Sequence, residues 1–222
     1  MGSDNIISNN TIHNNERVGI WLYECSDNTL KDNEFINNGI TISGGEINTW
    51  YAHNIDTSNT VNGKPLRYYK NKTNFRVPSE TGQLILVNCG KVNIEGLKIS
   101  NTDVAAQIIH CSNVEIINSV FENCVRGIWL DGSDYNTISH NTIQGNQYEG
   151  ISLHDGLDYN TISYNTIQNN GEDGIGLKGD YNTIYNNIIR DTGGNGIYLL
   201  VSDRNTIHNN TIQDNRGNGI YL

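Results

Sequence analysis

The sequence predicts an all-β solenoid, a right-handed parallel β-helix of about eight coils, and three observations predict it. The first is composition: 222 residues carry 37 Asn, 30 Ile and 23 Gly but only 2 Pro. Asn and Gly disfavour helix interiors, whereas regularly placed Ile argues against disorder. The second is a repeat. Asn-Thr-Ile opens at Asn136, Asn160, Asn182 and Asn205, steps of 24, 22 and 23 residues. The third is the end of each unit, a Gly-Ile-x-Leu segment opened by Gly127, Gly150, Gly174 and Gly196. Apolar pieces this short, β-branched and bounded by Asn, Asp and Gly suit brief parallel strands stacked about 4.8 Å apart. A right-handed crossover is the default for such strands.

Read in chain order, the first two coils begin at Asn5 (with Gly19-Ile20-Trp21-Leu22) and Asn28. Residues 43–83 then break the period and hold both prolines, Pro65 and Pro78, with Trp50, Tyr51, Tyr68, Tyr69 and Phe75. This insertion is expected as a flap against the solenoid or as an aromatic lid, with a hairpin turn at Asn62-Gly63. A degenerate unit near Lys91 and another from Asn113 lead into the four regular ones. The whole chain, 1–222, is expected as one domain.

Stacking assigns each repeated residue a role. Asn10, Asn33, Asn118, Asn141, Asn165, Asn187 and Asn210 form one expected ladder. Asn15, Asn38, Asn123, Asn146, Asn170 and Asn215 form another, broken by Thr192. Asn tolerates the left-handed conformation of sharp corners, and its amide bonds to neighbours above and below. The Ile128/Ile151/Ile175/Ile197 and Leu130/Leu153/Leu177/Leu199 columns should fill the interior.

Several functions are excluded by composition. The formal charge of −10 argues against a nucleic-acid or anionic-membrane partner, which would need clustered positive charge. No apolar run approaches the ~18 residues of a membrane span. The four cysteines lack CxxC spacing; Cys89 and Cys111 fall at matching corners one coil apart and are expected as free thiols. The chain starts and stops in mid-repeat, as a piece of a longer protein would, and its uncapped end coils offer strand edges for end-to-end self-association.

The repeat NTIxxNTIxxN…GIxL resembles that of NosD-like proteins within the wider pectin-lyase-like group, over about residues 5–42 and 84–222. That resemblance implies a carbohydrate-binding or sugar-processing β-helix of an extracellular or cell-envelope protein. The copper role linked to NosD itself transfers poorly, since soft copper sites need Met, Cys and His clusters and the single Met is Met1. Asn101-Thr102-Asp103 echoes a polygalacturonase motif but lacks its companions, Asp-Asp, Gly-His-Gly and Arg-Ile-Lys.

Between the inward Ile and Leu, the outward positions align as Trp129, Ser152, Gly176, Tyr198 and Tyr221. Small residues between Trp129 and Tyr198 describe a trough, rimmed by Glu149 and Asp173, for sugar rings that stack on aromatics. Asp131, His154 and Lys178 occupy the next column, with Asp155 adjacent, and are the candidate catalytic set: a carboxylate to orient the His base, a Lys to stabilise an anion. The paired acids Glu149 and Asp173 also suit glycoside hydrolysis. Asp134, Asp158 and Asp180 precede successive Asn-Thr-Ile corners; they suit Asx turns, or a calcium site shared with carbonyls. Three readings follow: a non-catalytic glycan-contacting scaffold; a polysaccharide lyase, hydrolase or epimerase; a structural repeat of a surface array.

Overall fold

A computed structural model describes residues 2–154 and 156–222. It is an all-β, right-handed parallel solenoid of about ten turns, two more than expected. One helical turn, Asn48–Tyr51, is present among the described residues. The repeat sets the register residue for residue. Thr137–Ser139 lies on Thr161–Ser163, then Thr183–Tyr185 and Thr206–His208. Each three-residue strand points its central Ile inward, so Ile138, Ile162 and Ile184 are fully buried, as are Ile143, Ile167 and Ile189. The Ile128 and Leu130 columns complete that core as expected.

At the corners the strand hydrogen bonds stop, and buried backbone groups need other partners. Ladder asparagines supply them. Asn141 N–H donates to Asn165 Oδ1 at 2.9 Å, and Asn165 N–H to Asn187 Oδ1 at 2.9 Å. Asn165 Nδ2 returns a bond to the carbonyl of Ile138 at 2.8 Å. The left-handed conformation belongs to a different residue, the one just before each ladder Asn: Tyr135, Tyr159 and Tyr181 have φ of 58°, 57° and 56°. This division of labour corrects two expected ladder members. Asn118 and Asn123 are the left-handed residues, at φ 50° and 55°. Ser119 and Cys124 hold the ladder places, donating N–H to Asn141 and Asn146 Oδ1 at 2.9 and 3.0 Å.

The segment 43–83 is more than a projection. Asn54–Ile55 and Thr60–Val61 are rungs of the first stack, laid parallel on Thr29–Lys31 and Glu34–Ile36. His53 and Asn59 stand in its ladders, accepting from Asn28 N–H at 3.4 Å and Asn33 N–H at 3.3 Å. The expected hairpin follows. Asn62 and Gly63, at φ 50° and 76°, turn the chain so that Thr60–Val61 runs antiparallel to Lys64–Pro65. Lys64–Lys70 then pairs parallel with Gln83–Val87 and starts the second stack.

One eleven-stranded sheet therefore runs through both stacks. The face interior to the first becomes exterior to the second. Phe35, Val61, Leu66, Ile85, Val87 and Ile109 share one apolar cluster, while Leu84, Leu86 and Ile108 point into the other. The first stack thus lies across the outer face of the second. Its strand Ile40–Ser43 would expose an unpaired edge, and two buried glutamines close it. Gln83 Oε1 accepts from Ile40 N–H (2.9 Å) and its Nε2 donates to the Ile40 carbonyl (2.7 Å). Gln107 repeats this on Ile42 at 3.3 and 3.2 Å.

Asp103 joins the same interface, its Oδ2 accepting the Gly19 N–H at 3.0 Å. Burial pushes its carboxyl from 3.8 up to about 7, against the pull of the Gly19 and Gly39 amides and Asn38. It is a docking residue, not a catalytic motif.

Two outcomes follow from these contacts. Asn165→Ala should lower stability by about 1–3 kcal/mol, because Asn141 N–H and the Ile138 carbonyl lose their partner; denaturant titration measures it. Asp103 binds its proton more tightly folded than unfolded, so stability should fall as pH rises from about 4 to about 7. Melting temperatures across that range should show the fall in the native chain and a flatter profile in Asp103→Asn.

Candidate functional site

The outward column forms as expected. Trp129, Ser152, Gly176, Tyr198 and Tyr221 are direct cross-strand neighbours on one wall. Its two ends differ, however. Trp129 is not an open platform, because the indole of Trp50 packs edge-on against it at 5.7 Å. The Arg126 guanidinium lies 5.7 Å from the Trp129 ring centre and 4.9 Å from that of Tyr148. Trp129 therefore forms the foot of the first stack. Ser152 is 1% exposed, and its Oγ meets His154 Nε2 at 2.6 Å.

What stays open is a depression of about 120 Å³ between Glu149 and Leu200. Gly176 and Tyr198 line it, with His154, Asp173 and Lys178. Asp131 is in register with His154, and Lys178 follows Leu177 with its N–H on the Leu153 carbonyl at 3.0 Å. The expected trio does lie on successive turns. Asp155 lies outside the described residues.

The acidic pair is already engaged. Glu149 Oε2 accepts from Arg126 Nε at 3.0 Å, a pair largely shielded from solvent. Asp173 Oδ1 accepts from Asn195 N–H and Nδ2 at 2.6 and 2.9 Å, and Asn195 Oδ1 does the same for Asn218. This is a further ladder along the flank of the trough, which fixes Asp173 in place. Neighbouring Glu172 has its carboxyl raised by burial and then by the charge of Glu149. The two expected hydrolytic acids are thus a cation's partner and a ladder terminus.

The aspartate column is structural too. Asp134 Oδ1 accepts the Asp158 N–H at 2.9 Å, Asp158 Oδ1 that of Asp180 at 2.8 Å, and Asp180 Oδ1 that of Asp203 at 2.7 Å. No group of three His, Cys, Asp or Glu suited to a metal occurs among the described residues. One oxygen of each carboxylate thus holds the next corner. Tyr135, Tyr159 and Tyr181 stack face to face at 5.0 Å, which leaves their edges, not their faces, to solvent. Cys25, Cys89, Cys111 and Cys124 are buried free thiols, as expected for the Cys89/Cys111 corner.

Sequence reasoning missed a second opening. A cleft of about 230 Å³ lies where the stacks meet, with Trp21, Val18 and Thr41 on one side and Val125, Arg126 and Tyr148 on the other. Trp21 is 58% exposed, and its indole N–H donates to Ser43 Oγ at 2.6 Å. Gly19-Ile20-Trp21-Leu22 repeats the pattern around Trp129, which was the available signal. The hairpin that carries it across the second stack was not.

Residues 1–77 and 83–222 match the family described as the right handed beta helix region, and the chain belongs to it. No curated protein matches it by sequence. Among solved structures it is similar to the A-module of the Azotobacter vinelandii mannuronan C-5 epimerase AlgE6 (TM-score 0.59, 14% identity, 95% of this chain and 72% of that one). A double mutant of the periplasmic alginate epimerase AlgG gives a TM-score of 0.54 at 12% identity, covering 90% of this chain. The chain spans 58% of that protein's length. At such identities the likeness is one of fold, a fold these carbohydrate-active enzymes use.

Proposed function

We propose that this is a glycan-binding β-helix domain of an extracellular or cell-envelope protein, holding sugar rings in the depression beside Tyr198 without converting them. The observation that carries this reading is the partly open Tyr198 beside Gly176 in a depression also lined by Asp173, His154 and Lys178. Pyranose rings pair an apolar face with a hydroxyl rim, and that lining offers one surface for each. Two further points support it. The fold neighbours are an alginate and a mannuronan epimerase, one of them periplasmic. The binding reading is preferred to the catalytic one because Glu149 and Asp173 are tied to Arg126 and Asn195, and His154 to Ser152. Asp131, His154 and Lys178 then serve as polar contacts or their supports.

Affinity electrophoresis against a panel of acidic and neutral polysaccharides should retard the native protein on at least one. Tyr198→Ala should weaken that binding about tenfold, the loss of one stacking contact of about 1.4 kcal/mol. Retardation by none of them would end the glycan reading. New reducing ends, unsaturated products or inverted sugar centres seen by NMR after incubation would replace binding with catalysis.

A further inference from the structure

We infer that the trough receives the end of a glycan chain and excludes its interior, an inference that rests on the binding proposed above. A groove that takes the middle of a polymer must be open at both ends, because the chain continues past each outermost subsite. This one is walled at one end. The outer faces of Gln83–Val87 and Val104–Ile109 lie under the first stack, where Ile85, Val87 and Ile109 are completely buried with Ile40, Ile42 and Trp50. The wall stops at Trp129, whose ring is held between Trp50 and the Arg126 guanidinium.

Exposure along the column records the step. Ser152, one strand beyond Trp129, is 1% exposed, whereas Gly176 and Tyr198 are partly open. Toward the Trp21 cleft stands Arg126, one of its lining residues, ion-paired at 3.0 Å to Glu149 of the depression. Gly176 and Tyr198, the partly open rungs, are one strand step apart, about 5 Å, room for about one to two rings before the wall. The sugar at the Glu149 and His154 end of the depression is thus the last of its chain, and its terminal hydroxyls meet His154.

Stoichiometry tests this directly. Size-fractionated mannuronan, β-glucan and homogalacturonan oligomers, from dimers to long chains, would be titrated into the intact protein by calorimetry. On the glycan that binds, affinity per chain should level off by about the trimer, and each chain should take one protein however long it is. Capping one chain end with a bulky reductive-amination label, or the other by enzymatic addition of a foreign sugar, should abolish binding for one of the two caps. Protein bound per chain rising in proportion to length, with both caps harmless, overturns end recognition and leaves glycan binding standing. No heat or retention with any of the three series overturns both.

Discussion

The amide at each corner is the interaction on which the molecule depends. A solenoid with strands of three residues has little sheet per turn, and every corner leaves backbone groups facing inward. An unpaired buried amide is worth about 1–3 kcal/mol against the fold. One Asn side chain answers this on both sides, accepting an N–H from the turn before with Oδ1 while donating Nδ2 toward that turn's backbone, as Asn165 does for Asn141 and Ile138. Because that exchange works at one stacking offset only, the ladders also hold the register. The Ile columns and the outward column of Trp129, Ser152 and Tyr198 inherit it.

The same rule explains the two buried glutamines. In strands otherwise as apolar as Leu84–Val87, a buried amide is costly unless both its ends are bonded. Gln83 and Gln107 are bonded to both backbone groups of Ile40 and Ile42, in place of the strand a further coil would have added. The reversal at Asn62-Gly63 made that substitution necessary. It turned the first stack across the second and left the edge of Ile40–Ser43 facing a sheet surface. Asp103 adds a titratable contact to an interface otherwise made of amides and apolar side chains.

Much of this was legible in the sequence, and the failures have particular causes. The coil period, the inward Ile and Leu, the outward column and the Asn62-Gly63 turn are local or strictly periodic, so spacing alone reveals them. Asn118 and Asn123 were misplaced because Asn suits two adjacent positions for different reasons, a left-handed backbone and a ladder amide. Counting back from the strand resolves it: Ser119 directly precedes Val120, as Asn141 precedes Thr142. The covering of Trp129 and the cleft at Trp21 had no such signal. Both depend on where a hairpin carries the first stack, and periodicity says nothing about a segment that leaves the period.

That reversal is also what gives the surface a distinguishable place. A straight solenoid repeats its outer face at every turn, so no rung differs from the next except by side chain. Laying one stack over another creates a corner, and the chain gathers unlike groups there: the indole of Trp129, the cation of Arg126, the acid of Glu149 and the imidazole of His154 on two neighbouring strands. On a chain of net charge −10, that corner holds a guanidinium fixed by an ion pair and two aromatic rings. At separations below the roughly 8–10 Å Debye length, a ligand in the depression responds to those nearby groups and not to the overall charge. On the proposed reading, recognition is decided where the two stacks meet, and the repeat supplies the wall against which it happens.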